Sequence, residues 1–189
     1  MYETIRYERE DGWVRVVLNR PAQKNALSGK MMRELEGALW EADDDKSVHA
    51  VLISGEGDSF CAGYDLVEYR EKDESAKRTD VKRRGMRSFD DDVWQLEKNQ
   101  RRLLAAFDMH KPVVAKVHGY CVAGGIDLAL ACDMIVAAND ARIGFPPARS
   151  QGTLPMNFWI YHVSPQWAKR LLLTATSSPV GTRRGSASS

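Results

Sequence analysis

Val113–Ala138 is the most apolar stretch of the chain, and only Lys116, Asp127 and Asp133 carry charge within it. Three charges over that length are too costly for a membrane span, so the stretch must be buried inside protein. Its internal order constrains the fold further. Val113–Val117 reads as a strand, His118–Ala123 as a loop, and a helix opens at Gly124-Gly125 and ends near Cys132. Met134–Ala138 then reads as a second buried strand. Apolar strands joined through a helix belong to an α/β domain with a largely parallel sheet.

The remaining segments fit that frame. Thr4–Glu8 and Trp13–Leu18 flank the turn signal Asp11-Gly12 and predict a β-hairpin. Ser28 is the predicted N-cap of a helix running to about Asp43, with Met31, Met32, Leu35, Leu39 and Trp40 as its apolar stripe. Val51–Ser54 is a short buried strand, followed by a glycine-containing loop, Gly55–Gly63. A helix is predicted from about Asp91 to Phe107, and Ser164-Pro165 should open a last one through about Thr174. Glu68–Asp92 differs from its surroundings: 16 of its 25 residues are charged, eight of each sign. Such a segment reads as a solvated helix-loop, or as a lid whose Lys82-Arg83-Arg84 could meet phosphates.

With 189 residues and 43% hydrophobic composition, the chain can bury one real core. A net charge of +1 gives no reason to expect nucleic acid or an anionic membrane as partner. Met1–Glu10 is mixed and charged, unlike a secretory leader. Cys61, Cys121 and Cys132 show neither disulfide pairing nor metal-ligand spacing, which fits a reducing cytoplasm and a protein without metal.

The chemistry should sit on two loops, Phe60–Leu66 (FCAGYDL) and His118–Leu128 (HGYCVAGGIDL). Gly63 and Gly124-Gly125 let backbone turn tightly and approach a ligand. The second loop also aims the unpaired N–H groups of a helix N-terminus, which favour developing negative charge. Facing each other, the two loops would form an oxyanion hole. No GxGxxG follows a strand and no GxxxxGK[ST] occurs, so a nucleotide-phosphate loop is not indicated. Of the histidines, His118 lies on the presumed site loop, while His49, His110 and His162 show no partner spacing.

NRPAQKNAL (Asn19–Leu27), FCAGYDL (Phe60–Leu66), KPVVAKVHGYCVAGGIDLALACDMIVA (Lys111–Ala137) and QWAKRLLLT (Gln166–Thr174) resemble the motifs of the crotonase, or enoyl-CoA hydratase/isomerase, superfamily. They occur in the family's order at compatible spacing. The resemblance covers residues 1–174 and implies a crotonase-like α/β core of repeated ββα units. An acyl-CoA thioester would lie between the two glycine loops, with no cofactor beyond the coenzyme A of the substrate. Residue by residue, it implies that the backbone N–H groups of Tyr64 and Gly124 bind the thioester oxygen and that Asp127 handles a proton or water. Lys24, Ala26, Leu27, Ala62, Gly63, Asp65, Leu66 and Gly125 would line the substrate, with Asp65 pinning its loop. Family assembly would be a homotrimer or hexamer, and enoyl-CoA hydration the leading activity.

Two departures qualify what is implied. The family's second catalytic glutamate falls at Pro147, after Ile143-Gly144-Phe145-Pro146, and proline cannot transfer a proton. Isomerisation, decarboxylation or C–C cleavage on the same enolate hole therefore stay open beside hydration, as does an inactive fragment or acyl-CoA-binding module. Arg149, just beyond, could meet a substrate carboxylate. Past Thr174 the resemblance stops; the C-terminal helical part of the family is missing or replaced. Residues 175–189, ATSSPVGTRRGSASS, have little to bury and should be disordered and foreign to the fold.

Overall fold

The computed structural model describes residues 1–68, 89–150, 156, 158–175 and 177–179. The element order is β1 (Ile5–Arg9), β2 (Trp13–Leu18), α1 (Gly29–Asp44), β3 (Ala50–Gly55), α2 (Phe89–Asp108), β4 (Val113–Val117) and β5 (Tyr120–Val122). After these come α3 (Gly124–Ala131), β6 (Met134–Ala137), β7 (Arg142–Gly144), α4 (Trp159–His162), α5 (Pro165–Thr174) and β8 (Ser177–Pro179). One sheet has the strand order β1-β2-β3-β4-β6 and is parallel except for the first hairpin pair. A smaller sheet has the order β5-β7-β8. This is the crotonase-like α/β architecture.

Alternation along the strands builds the core. Val14, Val16, Val51, Ile53, Val113 and Ala115 are fully buried, and the register pairs Val14 with Val51 and Val51 with Val113. Met31, Met32, Leu35, Ala38, Leu39 and Ala42 of α1 join the same core, as do Leu103 and Ala106 of α2. Burying side chains of this size stabilises by roughly 1.5–3 kcal/mol each. Trp40 was expected in the α1 stripe but is 39% exposed. It stands five residues after Leu35, half a turn off the line Leu35–Leu39–Ala42, so the 3.6-residue period carries it away from the core.

The helix starts follow local chemistry. Ser28 Oγ accepts from Met31 N–H at 3.1 Å, capping α1. Pro165 occupies the first turn of α5, but the Ser164 side chain makes no cap hydrogen bond. Lys111 Nζ donates to the Ala42 carbonyl at 2.7 Å, and His110 N–H donates to Asp43 at 2.9 Å. These bonds tie the end of α1 to the entry of β4.

The expectation of disorder past Thr174 needs correction over a short span. Ala175 is buried, and Ser177–Pro179 forms β8, antiparallel to β7 with Ile143 opposite Ser178. Backbone pairing needs no apolar side chain, which is why composition missed it. Residues 180–189, the Lys82–Arg84 cluster and most of the charged segment lie outside the described residues. No helix among the described residues is long and apolar enough to cross a membrane.

Candidate active site

Four stretches of extended chain lie side by side and carry the predicted residues. Leu27 bridges Tyr64, Cys61 bridges Cys121, and Cys121 pairs with Ile143 in β7. The bonds between them are main-chain: Leu27 N–H to Gly63 O at 2.7 Å, Asp65 N–H to Leu27 O at 3.1 Å, and Ala62 N–H to Lys24 O at 2.9 Å. Cys61 N–H donates to Tyr120 O at 2.9 Å, and Val122 N–H donates to Cys61 O at 3.1 Å. Lys24, Ala26 and Leu27 thus run beside Ala62, Gly63 and Asp65, and both run beside the glycine loop of α3.

Asn25 joins the first two stretches and was not singled out from sequence. It is fully buried at φ 54°. Its amide nitrogen donates to the carbonyls of Glu56 and Ser59, both at 2.8 Å, while its oxygen accepts from Arg20 N–H at 2.9 Å. Only the Lys24-Asn25 pair hints at it, because asparagine tolerates left-handed backbone better than most residues. Asp65 closes the far end. It pairs with Arg20 at 2.8 Å and accepts from the amides of Val67 and Glu68, each at 3.1 Å. Burial pushes its carboxyl up, but the Arg20 hydrogen bond and the two amides outweigh that and hold it below the usual range. Leu66, next to it, is exposed.

The two glycine loops meet directly. A Cβ on Gly63, where φ is 97°, would stand 2.7 Å from Ala123 Cβ and 3.3 Å from Gly124 N. A Cβ on Gly125 would stand 2.5 Å from the Cys61 carbonyl, so Gly125 serves close packing of the loops. Ala123 turns the chain into α3 at φ 51° and ψ −128°, a conformation that costs a residue with a side chain about 1–3 kcal/mol. Gly124 is the first residue of α3, so its N–H has no intrahelical acceptor and points out of the helix start. The Tyr64 ring covers this glycine: a Cβ there would be 2.8 Å from Tyr64 Cε2. From sequence only the Tyr64 main chain was considered; its ring lies at the same place.

Asp127 sits one turn further along α3. It is 1% exposed, and neither carboxylate oxygen has a hydrogen-bond partner among the described residues. Burial alone lifts its carboxyl to about 7. An ionisable group buried without partners is expensive, and such groups concentrate at functional sites. The other side chains near the loops are occupied or inert. Burial pushes the Cys61 thiol up to about 12, and its Sγ donates to the Asn25 carbonyl at 3.1 Å. His118 Nε2 lies 2.9 Å from the Gly57 carbonyl. Arg149 donates to the Ala175 carbonyl at 3.1 Å, and Pro147 lies in the 3₁₀ turn Pro146–Ser150.

A buried helix start, a facing glycine loop and an unpaired carboxyl one turn on thus come together at one place. Residues 8–181 match the enoyl-CoA hydratase/isomerase family model, and the chain belongs to that family, within the crotonase superfamily. The match runs past Thr174 and takes in β8. Among curated relatives, the 2,3-dehydroadipyl-CoA hydratase of Escherichia coli is 37% identical over 69% of this chain and 45% of its own length. The crotonyl-CoA hydratase of Syntrophomonas wolfei is 32% identical over 92% of this chain and 63% of its own. A crystal structure of an enoyl-CoA hydratase from Mycobacterium smegmatis superposes with a TM-score of 0.83 at 35% identity. That alignment covers 95% of this chain and 62% of the other. The chain thus spans about half to two thirds of the length of the relatives it matches.

Proposed function

We propose that this chain carries the acyl-CoA site of an enoyl-CoA hydratase, adding water across the C2–C3 double bond of a 2-enoyl-CoA. The observation that carries the reading is Asp127: buried, unpartnered and held near 7, one helical turn from the Gly124 N–H. The thioester oxygen accepts from the Tyr64 and Gly124 amides, which hold the negative charge that develops on it as the enolate forms. Asp127 takes a proton from water as the water oxygen bonds to C3, and the same carboxyl returns that proton to C2. A pKa near working pH suits a group that must act first as base and then as acid. With Pro147 at the position of the second glutamate, one carboxyl performs both transfers. Lys24, Ala26, Leu27, Ala62, Gly63, Asp65, Leu66 and Gly125 form the walls along the coenzyme A arm, and Asp65 fixes them through Arg20. We place the protein in the cytoplasm as a homotrimer or hexamer, with no metal and no cofactor beyond the substrate's coenzyme A.

Calorimetric titration with a short and a long enoyl-CoA, with free CoA as control, tests the reading. Saturable binding that depends on the acyl thioester, followed by turnover lost in Asp127→Asn but with binding kept, is the result expected. Binding without hydration, with another enolate reaction in its place, would shift the chemistry to isomerisation, decarboxylation or C–C cleavage. A folded protein that binds no acyl-CoA would make the chain a fragment without the family's activity.

A further inference from the structure

The five-stranded sheet has a second face, away from the helices that close its core. Trp13, Arg15, Leu52, Ser54, Lys116 and Val136 alternate with the core-facing Val14, Val51, Ile53, Ala115 and Ile135, so they stand on that second face. Register sets them in rows: Arg15 lies opposite Leu52, Ser54 opposite Lys116, and Lys116 opposite Val136. All six line one cavity of about 520 Å³, a volume typical of small-molecule sites.

The charges in this cavity are of one sign, since no acidic side chain lines it. Lys116 is exposed, and among the described residues no carboxylate pairs with it. Arg15 has only Glu8, at 3.4 Å, and shares it with Arg6 at 2.9 Å. Ser54 is 5% exposed, yet its Oγ has no hydrogen-bond partner among the described residues. A hydroxyl buried in this way calls for an acceptor. Trp13, Leu52 and Val136 supply apolar wall, and Val136 is 61% exposed. An inorganic anion would leave that wall unfilled, and a neutral apolar molecule would cover Lys116 without a counter-charge. An organic anion answers both.

We propose that this face holds a second ligand site, for a small aryl carboxylate. Its carboxylate meets Lys116, Arg15 and the Ser54 hydroxyl, and its ring lies on Leu52, Val136 and Trp13. None of the lining residues is among those placed around the thioester, so occupancy of one site should not exclude the other.

Calorimetric titration with 2-naphthoate and with its neutral amide, 2-naphthamide, is the test. The wild type should bind naphthoate saturably, and the amide roughly tenfold more weakly. Lys116→Gln should lose about the same factor for naphthoate and nothing for the amide, while Lys116→Arg should keep the affinity. Val136→Trp, at an exposed position where the fold tolerates bulk, should fill the cavity and abolish binding of both. Saturating crotonyl-CoA should leave the naphthoate affinity unchanged. Displacement of naphthoate by crotonyl-CoA would put the probe in the thioester site and overturn the proposal. Equal affinity of wild type and Lys116→Gln for naphthoate, or no saturable binding by the folded wild type, would overturn it as well.

Discussion

A methyl group on Gly63 would come within 2.7 Å of the Ala123 Cβ, closer than two carbon side chains ever sit. The two loops of the site therefore touch where one of them has no side chain, and the other bears its alanine in a strained conformation. Gly63→Ala should cost about 3 kcal/mol through the clash and the positive φ. Ala123→Gly should gain about 1 kcal/mol by relieving its own backbone. The double variant should be more stable than the sum of the two single changes, because removing the Ala123 methyl removes part of the clash. Urea unfolding of the four proteins measures all three.

The Asp127 carboxyl gives a pH dependence with a definite sign. Its folded pKa, about 7, lies above the unfolded value near 4. Below the unfolded value both states are protonated and nothing is lost. As pH rises from about 4 to 7 the unfolded state releases its proton first, so the folded protein loses stability by an amount on the order of 4 kcal/mol. Asp127→Asn should match the wild type at pH 4 and exceed its stability at pH 8, while losing turnover. Denaturation at the two pH values checks this, and a gain of equal size at both would remove the unpaired carboxyl as the cause.

Asn25 should be the most sensitive polar side chain of the first loop. Asn25→Ala leaves the Glu56 and Ser59 carbonyls and the Arg20 amide without their partner, at a cost of about 3 kcal/mol. Asn25→Asp should be comparably poor, because it keeps the acceptor and loses both donors. Thermal unfolding together with crotonyl-CoA affinity would show both effects.

Pro147→Glu puts a carboxyl where the family's second one stands. If Asp127 alone now handles both proton transfers, the variant should hydrate crotonyl-CoA about 100-fold faster. Initial rates at saturating substrate provide the comparison.

The strands and helices were legible because each is encoded over its own few residues. Val14, Val16, Val51 and Ile53 alternate, Ser28 caps, and Pro165 opens a helix. The glycine loops were legible through Gly63 and Gly124, which fill positions that clash with any side chain. What stayed hidden depends on partners distant in sequence. The Asn25 hub needs Glu56 and Ser59, and the Tyr64 ring needs Gly124 beneath it. Trp40 was misjudged by a single step along the helical period, and β8 because its pairing to β7 involves main chain only.

The second sheet sets an order in time as well as in space. Its middle strand, β7, holds β5 and the loop to Gly124 on one edge and β8 on the other. A ribosome delivers Lys24 first, Gly63 next, Gly124 later, and Ser177–Pro179 last of these. The first sheet can close once Ala137 has emerged, since among the described residues none of its strands lies beyond that one. The site array, by contrast, gains its outer strand only after another forty or so residues of synthesis. The strand array around the candidate site therefore matures after the main core is already in place.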